Sequence, residues 1–243
     1  MIKRVAHRVF NALGFDIRRL QPPQRPRDVL VDELISRQIS VVLDGGANIG
    51  QFASHLRACG YLGKIISFEP LENAFHTLTS NAAGDEKWDC INLALGACEK
   101  DEKINVAQNS VSSSIRKAES RNVAAEPAVA AIDEQPTSIV PLDTIFPRLA
   151  TPADRVFLKL DVQGYENAVF QGAEETLSRL EGVVVECALT ELYRGAWLFG
   201  DTSSFLTSAG FFISNIIPGF SDPRTGELLE VDAVFWRKYQ RAL

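Results

Sequence analysis

Val41-Val42-Leu43-Asp44-Gly45-Gly46-Ala47-Asn48-Ile49-Gly50 decides how this chain is read. Three apolar residues suit a buried strand, Asp44 ends it, a glycine-rich turn follows, and the residues from 51 onward read as a helix. That order marks a turn of the nucleotide-binding type, in which backbone approaches a ligand closely. Asn48 stands where glycine is usual, and Asn is the commonest other residue in the left-handed region that glycine enters freely. A tight strand-to-helix turn also needs glycine with no ligand at all, so the turn alone leaves the question open.

Nineteen residues past Gly50, Lys64-Ile65-Ile66-Ser67-Phe68 reads as the next buried strand and ends in Glu69-Pro70. An acid at that tip can accept both hydroxyls of a ribose, a spacing that suits NAD as well as other adenosine ligands. Equally, Glu69 can be an acid favoured by the dipole of the helix that Pro70 opens. The loop lacks the Gly-x-Gly-x-x-Gly spacing that seats a pyrophosphate on a helix N-terminus, which disfavours NAD. The pattern Asp44-x-Gly46-x-Asn48-x-Gly50 resembles the acidic glycine loop of enzymes that use S-adenosylmethionine (SAM). SAM carries no phosphate; Asp44 can accept from its ammonium directly or through water.

At 243 residues, with ordinary apolar and charged fractions, the chain is long enough for a substantial core. No apolar run approaches the roughly 18 residues of a membrane span, and no signal-peptide pattern opens the sequence, so the expected place is the cytoplasm. Cys59, Cys90, Cys98 and Cys187 have neither metal-type spacing nor disulfide density.

The net charge of −6 is unevenly spread. Residues 1–27 hold seven Lys or Arg against Asp16, a net +6, leaving −12 for residues 28–243. An acidic body argues against nucleic acid as a partner, since phosphates want a basic groove. Ile2, Val5, Ala6, Val9, Phe10 and Leu13 share one helical face, with Lys3, Arg4, His7 and Arg8 on the other. Residues 2–13 therefore read either as an interfacial helix on an anionic membrane surface or as a helix packed on its own domain. Gln21–Pro26 is a linker, so the domain plan is a basic segment over 1–27 and one domain over 28–243.

Beyond the linker, strand and helix alternate. Asp28 can cap a helix to about Ser36; strands are expected near 39–44, 64–69 and 90–95, with helices near 51–59 and 71–80. Residues 101–116 hold short strand-like pieces around a Ser-rich turn, and 118–136, without periodicity, reads as a mobile excursion, a lid or a tolerated insertion. Arg155 to Asp161 is a strand that turns at Gly164 into a helix through about Leu180, placing Asp161 at the carboxyl end of a central strand, where open α/β sheets bind ligands. Lys159 shares its face: as a buried ion pair, or with Asp161 beside the reacting group. Val183-Val184-Val185-Glu186 is another buried strand, and Phe211–Ile217 with Val231–Trp236 form an antiparallel pair.

From about Val41 to Arg237 the chain resembles the FkbM-type SAM-dependent methyltransferases. The resemblance rests on the Asp44 loop, Phe68-Glu69-Pro70, Asn92-x-Ala94-Leu95-Gly96, Leu142-Asp143, the run from Lys159 to Glu166, Glu186, and Asp232-x-x-Phe235. It implies a class I α/β fold, doubly wound and Rossmann-like, with a mostly parallel seven-stranded sheet closed by an antiparallel hairpin. It also implies methyl transfer from SAM, usually to oxygen, often on sugar hydroxyls of polysaccharides, glycolipids or secondary metabolites. The cofactor contacts it implies are Asp44, Gly45, Gly46, Ala47, Asn48, Gly50, Glu69, Pro70 and Ala94.

Methyl transfer to oxygen needs proximity and a base for the hydroxyl proton. His7, His55 and His76 lie on segments that give them no evident place in the site, so carboxylates carry the chemistry. Asp161 is the expected base or acceptor-orienting group, with Glu186 and Glu166 behind it and Lys159 beside it. No metal is expected; a divalent cation between Asp161 and Glu186 is the alternative. The expected enzyme is a cytoplasmic O-methyltransferase acting on a sugar or glycolipid acceptor near the inner membrane face. Its rivals are a small-molecule methyltransferase and a non-catalytic SAM-binding protein.

Overall fold

The computed structural model describes residues 28–238; the basic segment 1–27, with its amphipathic stretch 2–13, lies outside them. The first helix, α1 (Val29–Ser36), starts where expected, with Asp28 Oδ1 accepting from Leu30 N at 2.8 Å and Val31 N at 3.2 Å. Then come β1 (Val41–Gly45), α2 (Gln51–Cys59), β2 (Lys64–Phe68), α3 (Glu72–Ala82), β3 (Trp88–Ile91), β4 (Ala94–Leu95) and β5 (Lys100–Ala107). A 3-10 turn at Ser110–Ser112 leads to α4 (Ser120–Ala125) and β6 (Ala131–Val140). The second half runs α5 (Leu142–Leu149), β7 (Val156–Leu160), α6 (Glu166–Gln171), α7 (Glu174–Leu177), β8 (Leu180–Ala188), α8 (Phe199–Ser208), β9 (Phe211–Pro218) and β10 (Glu230–Arg237).

Seven strands form one sheet in the order β3-β2-β1-β7-β8-β10-β9. The pairings are parallel except that β10 runs antiparallel to both β8 and β9. This is the doubly wound class I architecture expected from the sequence. Its central strands are apolar on both faces because helices cover both. On one face Val42, Ile65, Phe157, Val184, Val234 and Trp236 pack with residues of α1, α2 and α3. Stepping two residues from each toward the carboxyl edge of the parallel strands changes the chemistry: Asp44, Ser67, Lys159, Glu186 and Asp232 follow. Glu69, Asp161 and Glu230 come one step further. The period of two thus turns a core face into a polar rim at one edge.

Several local expectations are corrected. The strand expected over 90–95 is two, β3 in the main sheet and β4 in a separate three-stranded sheet of order β4-β6-β5. The excursion at 118–136 is not devoid of elements: it contains α4, a 3-10 turn at Pro127–Val129, and the first residues of β6, which pairs antiparallel with β5 from Lys100 to Ala107. The helix expected to reach Leu180 breaks after Gln171, because a Cβ on Gly172 would lie 1.9 Å from the carbonyl oxygen of Gly96. Asp143 restarts it, accepting from Thr176 N at 2.7 Å and Glu175 N at 3.1 Å.

Candidate active site

The turn after β1 is shaped by close backbone approach. Gly46 has φ +72, and a Cβ there would sit 1.8 Å from the carbonyl oxygen of Asp161. Asn48 adopts φ 47 as its residue type suggested, while Gly50, at φ 89, is required by the ring of Trp88 against it. Gly45 closes the strand against Leu160, and the amides of Gly46 and Ala47 both donate to Phe68 O.

Glu69 is 4% exposed and accepts from Asn48 N at 2.7 Å and Leu71 N at 2.8 Å, one bond per carboxylate oxygen. Burial pushes its pKa up to about 7, only partly offset by those two amides and by Lys159. Each oxygen keeps a lone pair for a further donor. Glu69, Pro70, Leu93, Ala94 and Ile104 line a cavity of about 50 Å³, roofed by residues 110–115. A second, larger cavity of about 410 Å³ adjoins it and shares Gly46, Asn48, Val111 and Asp161.

Asp44 takes a different place from the ligand contact expected. It is fully buried and lines neither cavity. Its Oδ2 accepts from Ser67 Oγ at 3.0 Å, and its Oδ1 lies 3.2 Å from Lys159 Nζ in an ion pair without hydrogen-bond alignment. Lys159 Nζ donates instead to the carbonyls of Gly46 (2.8 Å) and Gly45 (3.2 Å). Burial alone would lower the Lys159 pKa, but the carboxylates of Asp44 and Asp161 outweigh it, so the ammonium stays charged. The buried pair therefore clamps the glycine turn onto β7.

Asp161 opens into both cavities, its side chain 37% exposed. Its Oδ2 is 3.7 Å from Lys159 Nζ, and its Oδ1 accepts from Gln163 Nε2 at 2.8 Å. The same amide donates to Glu186 Oε2 at 2.7 Å. Gln163 sits at φ 55, unusual for a non-glycine residue, and its main-chain carbonyl accepts from Ser114 Oγ at 2.6 Å. Tyr193 Oη lies 2.6 Å from Gln163 Oε1 and 3.0 Å from Ser112 O, with one proton to serve either. Burial, with Asp161 and Glu230 nearby, raises the Glu186 pKa well above the usual carboxylate range.

Glu166 does not join this group. Its Oε1 accepts from Val162 N at 3.0 Å and Gly164 N at 3.2 Å, so it ties the strand-to-helix turn, and burial raises its pKa to about 7. His55 Nε2 pairs with Asp28 Oδ2 at 2.8 Å on the wall of the second cavity, and His76 lies 3.7 Å from Glu72 at the surface. Among the described residues no group of three or more His, Cys, Asp or Glu is arranged to hold a metal. A cation between Asp161 and Glu186 would have to displace the Gln163 amide, whose hydrogens point at both. Reading the sequence missed Gln163, Tyr193, Glu230 and the roof. Glu230 was legible by parity, two residues before Asp232 on the same strand face.

No curated protein is significantly similar in sequence. Solved structures with a related fold include TehB from Haemophilus influenzae, 11% identical with a TM-score of 0.46, covering 86% of this chain and 61% of that one. A TehB-like SAM-dependent methyltransferase from Corynebacterium glutamicum is 13% identical with a TM-score of 0.40, covering 97% of each chain. Magnesium protoporphyrin IX methyltransferase from Synechocystis PCC 6803 is 14% identical with a TM-score of 0.48, again over 97% of each. The model of the methyltransferase FkbM domain matches residues 44–213, from the first acid of the glycine turn into β9, and so spans the glycine turn, Glu69 and the Asp161–Gln163–Glu186 cluster. The chain belongs to the FkbM methyltransferase domain family, whose cofactor is SAM.

Proposed function

We propose that this methyltransferase transfers the SAM methyl group to a hydroxyl of a sugar, glycolipid or polysaccharide-precursor acceptor. The observation that carries the reading is the Asp161–Gln163–Glu186 cluster at the open sheet edge, where one amide fixes two carboxylates beside a cavity.

The site fits the cofactor on its own terms. The glycine turn borders the first cavity through Gly46 and Asn48, and Glu69, lining the same cavity, keeps lone pairs for a ribose. Gly46, Asn48, Glu69, Pro70 and Ala94 would hold it; Asp44 would act indirectly, through Lys159. When bound, SAM supplies a methyl group on a positively charged sulfur, which a carboxylate-rich edge favours over the neutral product. Asp161 has one oxygen fixed by Gln163 and the other free of any hydrogen bond, so it can take the acceptor proton. Glu186, through the same amide, keeps Asp161 in place. The acidic rim formed by Asp161, Glu186, Glu230 and Asp232 disfavours a phosphate-rich acceptor. The amphipathic residues 2–13, outside the described part, suit an acceptor presented at an anionic membrane surface. No helix among the described residues is long and apolar enough to cross a membrane.

Asp161→Asn tests the reading. With the methyl group of SAM labelled, turnover should fall by about 10²–10⁴ while calorimetric SAM affinity is preserved. The label should appear in an alkali-stable ether. Near-normal turnover removes Asp161 from the mechanism, and label in an alkali-labile ester or on nitrogen removes the hydroxyl acceptor.

A further inference from the structure

A third cavity, of about 270 Å³, shares Val111, Asp161 and Gln163 with the cofactor seat. Asp161, Glu186, Glu230 and Glu126 line it together with the rings of Tyr193 and Phe220, and no Lys, Arg or His does. Such a balance is unusual where Glu186 and Glu230 are held largely out of water by the strands around them, because buried acids are ordinarily paired.

The strand register explains the arrangement. Glu186 on β8 faces Asp232 on β10, and Glu230 faces Ala188, so Glu186 and Glu230 are diagonal neighbours on one face. That places their Cβ atoms roughly 7–8 Å apart, a span one small cation can bridge. Asp161 follows Leu160, which is level with Val185, so it borders Glu186 on the other side. Glu186 already accepts from Gln163. Glu230 is only 9% exposed, and among the described residues no donor or cation engages its carboxylate. A buried, unpartnered carboxylate directed into a cavity is a binding determinant without its ligand, since a Gln or Leu there would fold at less cost.

We propose that this cavity seats a protonated amine carried by the acceptor, held between Glu230 and Glu186 with Tyr193 and Phe220 as aromatic walls. Ammonium donates to carboxylates and is attracted to aromatic faces, so all three kinds of lining group suit it. The inference rests on the hydroxyl-acceptor reading and narrows it to amino-sugar-like or other amine-bearing hydroxyl compounds. Burial, then the neighbouring Asp161, Glu166 and Asp232, push Glu230 up to about 8. Arrival of a cation would therefore expel a proton near neutral pH. Lys159, 3.7 Å from Asp161, is already engaged by Asp44 and two carbonyls.

Calorimetry on the full chain saturated with S-adenosylhomocysteine decides it, using D-glucosamine, D-glucose and N-acetylglucosamine as probes. Glucosamine should bind about tenfold or more tighter than the two uncharged sugars, and its observed binding enthalpy should vary with the buffer's ionisation heat as the expelled proton is taken up. Glu230→Gln should abolish that preference while leaving cofactor affinity intact; Glu186→Gln is the second variant should the first fail to fold. Equal affinity for the three sugars, no binding of glucosamine, or a preference that survives both substitutions would overturn the amine seat. These are binding measurements, so they fail independently of the labelled-methyl experiment that tests the hydroxyl reading.

Discussion

At the scale of single residues, Glu69 shows how one carboxylate serves two ends. Its oxygens hold the amides of Asn48 and Leu71, fixing the glycine turn to the start of the segment after β2, and still offer lone pairs to the neighbouring cavity. Glu69→Ala should weaken SAM binding by about 1.5–3 kcal/mol, the worth of hydrogen bonds to a charged group. Calorimetry on the purified protein measures it, and unchanged affinity would leave Glu69 a purely structural brace. Its position was legible because an acid at a strand tip is a local pattern. The burial of Asp44 was not, because it depends on Lys159, 115 residues away in sequence and adjacent only through the β1–β7 pairing.

Among elements, the join between β1 and β7 carries most. Asp44 is level with Lys159, and the ammonium also caps the carbonyls of the glycine turn. Lys159→Met removes the cation and leaves Asp44 buried and unpaired, which should destabilise the fold by about 3–5 kcal/mol. Adding Asp44→Asn should restore part of that loss in chemical denaturation. A single variant as stable as the wild type would mean that the pair is dispensable. The central strands and the antiparallel hairpin were readable because buried strands announce themselves as short apolar runs between turn residues. The β4-β6-β5 sheet escaped notice: β5 opens on Lys100-Asp101-Glu102-Lys103 and most of β6 is exposed, so neither reads as an apolar run, and their antiparallel pairing joins segments far apart in sequence. The break after Gln171 was equally hidden, since it is dictated by Gly96 crossing Gly172, a contact between distant segments.

For the molecule as a whole, the acids gathered at one edge set a dependence on pH. Glu69 and Glu166 titrate at about 7 and Glu230 at about 8 in the folded chain, against 4.5 in the absence of structure. Between those values the folded chain binds more protons than the unfolded one. This part of the stability is complete below about 4.5 and is lost as pH rises through about 7 to 8. The melting temperature of the ligand-free protein should therefore fall from about pH 5.5 to 8.5, and Glu230→Gln should flatten the upper end of that decline. A melting temperature that rises over the same window would contradict the assignment.

The roof formed by residues 110–115 has a temporal meaning. Asn48 Nδ2 reaches Ser110 Oγ at 3.1 Å and Ser114 reaches the carbonyl of Gln163, so the narrow seat beside Glu69 is latched at two points. At about 50 Å³ it is far smaller than the roughly 300 Å³ at which small-molecule pockets begin, so the roof has to lift for a nucleoside to come or go. Lifting it releases Gln163, the residue that aligns Asp161 and Glu186. An ordered mechanism is the expected outcome, with the cofactor entering before the acceptor and the methylated product leaving before the spent cofactor. In steady-state rates, S-adenosylhomocysteine should compete with SAM and not with the acceptor, and a random-order pattern would show that the latch does not set the sequence of events.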